Sequence, residues 1–200
     1  MTDPSVPAAP GTLAAVGEFA VVGAVRAVCG DPPDAVVGPG DDAAVVAIPV
    51  GQDPPRVPTG LAAHVVVSTD LLVEHRHFRR DWSSAADVGH KAAAANLSDI
   101  SAMGGRAAAL VVAFGGPGDL EVGWVQELAA GLATEAAAVG AAVVGGDVTA
   151  ADAVTVAVTA LGWCESGAPV RRSGARPGDL VAVCGRLGWA AAGLSVLGRG

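Results

Sequence analysis

The feature that most constrains this chain is the alternation of two hydrophobic periods along it. Short β-branched or alternating runs lie at residues 43–48, 64–68, 107–114, 141–144, 153–163 and 180–185, and alanine-rich helical stretches at 18–29, 84–103, 120–139 and 187–197. A period of two puts every second side chain on one face of a strand, whereas three-and-four spacing makes a stripe along a helix. The stripe is plain at Val122, Val125, Leu128, Leu132 and Val139. Over residues 84–103, Asp87 stands four positions before Lys91, and Gly104-Gly105 supplies a stop. The central order is strand, strand, helix, strand, helix, strand, strand. That order predicts an α/β or α+β domain, a mixed sheet with helices packed on it. Turns punctuate it at Asp31-Pro32-Pro33, Gly38-Pro39-Gly40 and Gly145-Gly146, and residues 52–60, with three prolines, read as a surface connection.

Composition removes several function classes. With 52% hydrophobic and 16% charged residues among 200, the chain can build a core and is not disordered as a whole. Twelve basic against 20 acidic residues, a net charge of -8 and a single lysine, Lys91, argue against a surface that tracks nucleic-acid phosphates. The longest stretch without Asp, Glu, Lys or Arg, Pro4 to Gly17, is broken by Pro7, Pro10 and Gly11, and falls short of the roughly 20 apolar residues of a spanning helix. Residues 1–16 have neither a basic n-region nor an apolar h-region and read as a disordered leader, so the expectation is a cytoplasmic protein away from membranes. Cys29, Cys164 and Cys184 form no C-x-x-C pair, stand among apolar neighbours and fit reduced buried thiols.

The acidic residues comprise 14 Asp and 6 Glu, a bias away from solvated helix faces and toward loops and strand ends. Asp42 in GDDAA, Asp70 in VVVSTD, Asp99 in NLSDISAMGG and Asp147 in VVGGDVT all sit beside apolar strands or on the helix after one. Strand ends on one edge of a sheet converge, and that edge is where α/β proteins hold ligands. Carboxylates gathered there repel by on the order of 4 kcal/mol per pair at about 4 Å with an effective dielectric near 20, and so call for cations. Carboxylates with the Ser68, Thr69 and Ser98 hydroxyls form an all-oxygen set suited to Mg²⁺, an ion normally shared with phosphate. The same aspartates, taken singly, also suit turns and helix caps.

Other chemistries lack their residues. There is no G-x-x-x-x-G-K-[ST], no G-x-G-x-x-G between strand and helix, no G-x-S-x-G elbow and no H-E-x-x-H pair. His75 and His77 stand among Arg76, Arg79 and Arg80, either a substrate-facing loop or a solvated basic one. Arg172 could hold a phosphate bidentately.

Read together, GEF at 17–19, GPGDDAAV, STDLLVEHRHF, KAAAANLSDISAMGG, VVGGDVT and RRSGARPGDLVAVCG resemble the thiamine-monophosphate kinases, in the same order and at similar spacing over residues 17–200. That family lies in the superfamily of ATP-binding proteins typified by aminoimidazole ribonucleotide synthetase. The resemblance implies its fold: an N-terminal α/β domain that dimerises through its sheet, a C-terminal α+β domain, and an active site between them. On this view residues 17–165 form the ATP- and metal-binding and dimerisation domain, and 166–200 a linker and the start of the second domain.

The activity implied is direct transfer of the ATP γ-phosphoryl group to thiamine monophosphate, giving thiamine diphosphate with several Mg²⁺ ions. By motif, Asp42, Ser68, Thr69, Asp70, Asp99 and Asp147 correspond to the metal shell, His77 to a thiamine-phosphate contact, and Gly146, Asp147 and Arg172 to ATP contacts. Val148 and Arg171 stand where the family commonly has threonines. The family's C-terminal acidic segments are not among these residues. Two other readings are a different ATP-using member of the superfamily, of selenophosphate-synthetase or hydrogenase-maturation type, and a non-catalytic nucleotide-binding and dimerisation fragment. The reactive Cys or selenocysteine with a nearby Lys that marks a selenophosphate-synthetase leader is missing from residues 1–16.

Overall fold

The structure, a computed structural model, describes residues 13–16, 18–29, 35–38, 41–47, 64–164 and 169–198. The Pro39-Gly40 part of the first glycine turn and the 52–60 connection lie outside the described residues, as do residues 1–12 of the expected leader. The elements in chain order are α1 (Leu13–Val16), α2 (Glu18–Cys29), β1 (Ala35–Val37), β2 (Ala44–Ala47), β3 (His64–Val73), α3 (Ala85–Ala102), β4 (Gly105–Gly116), α4 (Val122–Ala138), β5 (Ala142–Ala150), β6 (Thr155–Cys164), a 3-10 turn at Arg172–Gly174 and α5 (Trp189–Leu197). The six strands form one mixed sheet in the order β1-β2-β3-β6-β4-β5, antiparallel throughout except for the parallel β4–β5 pair. The mixed sheet with packed helices is thus the expected class.

Burial alternates strictly along β6. Val156, Val158, Ala160 and Cys164 are buried and face the helices, while Thr155, Ala157, Thr159, Leu161 and Trp163 form the other face. Antiparallel register carries the same parity into β3, where Val66, Ser68, Asp70 and Leu72 stand opposite Gly162, Ala160, Val158 and Val156. Both long helices cover that one face, and Ile100, Leu110, Leu128 and Leu132 fill the space between them and the sheet. Burial of each such side chain is worth about 1.5–3 kcal/mol. The opposite face keeps Leu71, Val111 and Trp163 exposed.

The helices approach closely because small residues line their contact. An added Cβ at Gly89 would lie 2.0 Å from the Leu128 carbonyl oxygen, and one at Gly131 would lie 2.1 Å from that of Ala86. The start of α3 is fixed by a capping box: the Asp87 amide donates to Ser84 Oγ, and the Ser84 amide donates back to the Asp87 carboxylate. Asp87 therefore serves the cap and not the expected pair with Lys91, whose Nζ donates to the His77 carbonyl at 2.5 Å.

Four expectations need correction. β3 runs on through Thr69 and Asp70 to Val73, because β6 pairs with it over its length from Val65 onward, so Asp70 lies within the strand and not after it. Gly145-Gly146 is not a turn but part of β5, where backbone closeness to β4 leaves a Cβ at Gly146 only 1.9 Å from the Val112 oxygen. Residues 180–185 form no strand; Leu180 and Val181 are almost wholly exposed, and an apolar run without a pairing strand has nothing to hydrogen-bond. Within the expected leader, Leu13–Val16 is helical.

Candidate active site

Parity on β3 decides what the site can contain. Ser68 and Asp70 point to the α3 side, and α3 answers with Asn96 and Asp99, three residues and so one turn apart. Ser68 Oγ donates to Asp99 Oδ2 at 2.6 Å, with the Asp42 carbonyl oxygen 3.4 Å away. Buried Asn96 accepts the Asp70 amide at 2.9 Å through Oδ1 and donates to the Ala92 carbonyl at 3.0 Å through Nδ2. Asn96 was not picked out from the sequence, although it stands in the NLSD block; its role is to lock β3 to α3 beneath the carboxylates.

The fifth contributor arrives from 130 positions further along the chain. The segment after β6 is stitched down by the Val170 amide donating to the Met103 carbonyl and by Arg171 Nη2 donating to the Val36 carbonyl at 3.1 Å. This sets Arg172 over the residues that precede β2. Its amide donates to both Asp41 carboxylate oxygens at 3.3 Å, and its guanidinium donates to Asp42 Oδ1 from Nε at 3.0 Å and also from Nη2. The Asp42 carboxylate raises the Arg172 pKa in turn. Burial pushes the Asp99 carboxyl above its ordinary value, and the negative charges of Asp70 and Asp42 push it the same way, against the Ser68 hydrogen bond and Arg172. Asp42, Ser68, Asp70, Asp99 and Arg172 thus form one electrostatic unit on the helix side of the sheet.

Three sequence candidates lie elsewhere. Thr69 has the opposite parity; its hydroxyl meets the Val158 carbonyl and Thr159 Oγ1, both at 3.1 Å, on the face without helices. Asp147 lies opposite Ala113, which pairs with Ala157 and through it with Leu71. That register sets Asp147 three strand spacings, or about 14 Å of sheet, from β3, beside a cavity lined also by Leu128 and Leu132 of α4. Gly146 is beside it on β5. Among the described residues, no three His, Cys, Asp or Glu side chains are arranged to hold one ion. The donor chemistry of Asp42, Ser68, Asp70 and Asp99 nonetheless fits a hard divalent cation: all are oxygens, and their mutual repulsion is offset in the chain by Arg172.

His77 belongs to a second feature, a cavity of about 390 Å³ at the turn between β3 and α3. Its wall includes His75, Arg76, Arg79, Trp82 and Lys91, and Leu194 of α5 closes one side. The Arg79 guanidinium lies over the Trp82 ring, 4.3 Å from its centre, and pairs with Asp81. The basic loop is therefore organised around a concavity.

Residues 40–164 match the family described as AIR synthase related protein, N-terminal domain. The chain belongs to this family. It is 44% identical over 185 residues, 92% of the chain and 52% of the relative, to the thiamine-monophosphate kinase of Mycobacterium tuberculosis. It is 36% identical over 187 residues, 93% of the chain and 52% of the relative, to the thiamine-monophosphate kinase of Corynebacterium glutamicum. In three dimensions it superposes on the structure of AaThiL complexed with AMPPCP and TMP with a TM-score of 0.77 at 30% identity, covering 92% of this chain and 53% of that one. The chain spans about half the length of the curated relatives it matches. No helix among the described residues is long and apolar enough to cross a membrane.

Proposed function

We propose that this chain is the part of a thiamine-monophosphate kinase that binds ATP and its metal ions. The observation that carries the reading is the convergence of Asp42, Ser68, Asp70, Asp99 and Arg172, from four separate segments, on one face of the sheet. Phosphoryl transfer needs positioning and charge stabilisation more than covalent chemistry from the protein, and carboxylates with an arginine supply both. Neutralisation of the charge on phosphate is the chemistry that Mg²⁺, when bound, would supply. Asp42, Asp70 and Asp99 would hold it, while Ser68 orients Asp99 and Asn96 fixes the strand beneath Asp70. The Arg172 guanidinium has the planar fork that matches a phosphate, and a cation on Asp42 would free it for that partner. His77, in the neighbouring cavity, would contact the thiamine phosphate.

The reading includes a homodimer formed through the open sheet face, where Leu71, Val111 and Trp163 are exposed and apolar. It also gives Thr69 a role, since its hydroxyl lies on that face beside Thr159. A cytoplasmic setting accords with three free cysteines, of which Cys164 is buried as expected while Cys29 and Cys184, against expectation, are exposed.

The experiment is separation of thiamine diphosphate from a mixture of thiamine monophosphate, γ-labelled ATP, Mg²⁺ and the full-length enzyme, since the 200 residues alone are expected to bind nucleotide without turning it over. Label is expected in thiamine diphosphate, abolished by omission of Mg²⁺ and by Asp70→Asn. Nucleotide binding without transfer to any thiamine phosphate would favour the non-catalytic module instead.

A further inference from the structure

Glu74 is a buried carboxylate outside the cluster just described: its residue is only 5% exposed at the mouth of a solvent-facing loop. A buried carboxylate is retained only where its charge and lone pairs are met, and here both oxygens are used. Oε1 accepts from Arg80 Nε at 2.5 Å, and Oε2 accepts the Val154 amide at 3.2 Å, while the Glu74 amide donates to the Val154 carbonyl at 2.9 Å. Burial alone would raise its pKa, yet Arg80 and the Val154 amide outweigh that and the net direction is down. Glu74 and Arg80 are the two ends of one loop, so their pair is a clasp that closes residues 74–80 and ties them to the chain just before β6.

The clasped loop is tightly wound around His77. The Arg76 and His77 amides both donate to the Val73 carbonyl, and the His75 amide donates to the Phe78 carbonyl at 2.8 Å. His75 sits at φ 64, the left-handed region, which costs a non-glycine residue about 1 kcal/mol or more and persists only when the surroundings hold it. The Val73 amide donates to His77 Nδ1 at 2.9 Å. A backbone amide can only donate, so Nδ1 carries a lone pair and the proton of the neutral ring is on Nε2. His77 lines the cavity, and its carbonyl is gripped by Lys91.

We infer that Glu74 is a positioning residue: through its clasp with Arg80 and Val154 it fixes the loop in which Val73 caps His77 Nδ1, so that His77 presents Nε2–H as a hydrogen-bond donor to an anionic group in the cavity. This rests on the kinase reading only for the identity of that anion, the phosphate of thiamine monophosphate. Glu74 touches no substrate. It acts through the tautomer and orientation of a ring that does.

Two readouts separate the inference from the function. Long-range ¹H–¹⁵N spectra of the ¹⁵N-histidine-labelled protein should show His77 as the neutral Nε2–H form at pH 8, and Glu74→Gln and Glu74→Ala should bring its two nitrogen shifts together as the tautomers mix. Glu74→Gln keeps an oxygen for the Val154 amide, and a dispersed amide spectrum certifies that it folds; Glu74→Asp should restore part of the wild-type pattern. In the full-length enzyme, Glu74→Gln should raise the KM for thiamine monophosphate about tenfold, leaving the KM for ATP unchanged. A His77 spectrum unaltered in folded Glu74→Gln and Glu74→Ala overturns the inference. Mixed tautomers with an unchanged KM for thiamine monophosphate support the positioning role and overturn instead the assignment of His77 to that substrate.

Discussion

Gly89→Ala is the substitution on which local propensity and tertiary packing disagree most sharply. By propensity alone, replacing a mid-helix glycine with alanine stabilises by about 1 kcal/mol. Gly89, however, is buried where α3 crosses α4, and its new Cβ would stand 2.0 Å from the Leu128 oxygen and 2.9 Å from the Leu132 nitrogen. A carbon cannot rest within about 3 Å of a backbone oxygen, so the helices must part by about 1 Å, and a gap of that size forfeits roughly a quarter to a half of the dispersion energy across the contact. The side chains that lose it are Val88, Ala92, Leu128 and Leu132, all buried. At about 2 kcal/mol of burial for each of the three larger ones, the loss is about 1.5–3 kcal/mol, and the net destabilisation after the propensity gain is about 0.5–2 kcal/mol. In a domain of this size that lowers the Tm by about 1–8 °C. Gly123→Ala is the control, because Gly123 lies in the same pair of helices with nothing within 4 Å of its added Cβ, and it should raise the Tm slightly. Thermal unfolding by circular dichroism in metal-free buffer decides the matter. An unchanged or higher Tm in Gly89→Ala, alongside the expected rise in Gly123→Ala, would mean that the helices do not approach through this glycine.

Asp99→Asn should raise the Tm of the metal-free protein at pH 7 by about 1–3 °C while removing any Mg²⁺-dependent shift with AMPPCP, since Asn keeps an acceptor for Ser68 Oγ and removes a half-buried charge. The sign follows from a folded pKa raised above the ordinary 3.8: ionised Asp99 opposes folding, so wild-type stability gains as pH falls through the folded pKa, and Asp99→Asn should lose that gain in acid melts. Glu74 has the opposite sign. Its folded pKa is lowered from 4.5, so its contribution is complete above that value and fades as pH falls below it; the Val154 amide resonance should titrate with a midpoint under 4.5, and a midpoint above 4.5 would refute the clasp. Sedimentation should give a dimer at tens of micromolar, indifferent to salt between 50 and 500 mM because its face is apolar, and Val111→Asp should give a folded monomer. A wild-type monomer would rule out the interface.

Most of the architecture was legible because period and punctuation fall where the chain is locally consistent. Ser84 and Asp87 supply a capping box, the alanine-rich run from 85 to 102 contains no proline, and Gly104, at φ 70, ends it with a conformation other residues resist. Where local chemistry and tertiary pairing pull apart, tertiary pairing prevails. Thr69 and Asp70 look like the end of a strand, yet β6 offers them partners through Thr159 and Val158 and the strand continues. Gly145-Gly146 looks like a turn, yet β4 lies alongside and the absence of side chains lets β5 settle against it. Residues 180–185 show the converse: good strand chemistry with no strand beside it among the described residues.

The membership of the site depended on a quantity that a sequence holds only as parity. That Ser68 and Asp70 share one side of β3 and Thr69 the other follows from numbering alone; which side carries α3 does not. Ser101, Asn96 and Asp99 all lie on α3, but only knowledge that Val66 and Leu72 face the core selects the even positions of β3 as the partners of Asn96 and Asp99. Once that choice is made, the separation of Asp147 follows without further freedom. Its register with Ala113, Ala157 and Leu71 leaves three strand spacings between it and Asp70 within one chain. A carboxylate so placed cannot reach the Asp42, Asp70 and Asp99 carboxylates of its own chain. Asp147→Asn tests the separation: the variant should keep the wild-type Mg²⁺-dependent thermal shift with AMPPCP that Asp70→Asn loses, whereas loss of the shift in both would put Asp147 in the shell.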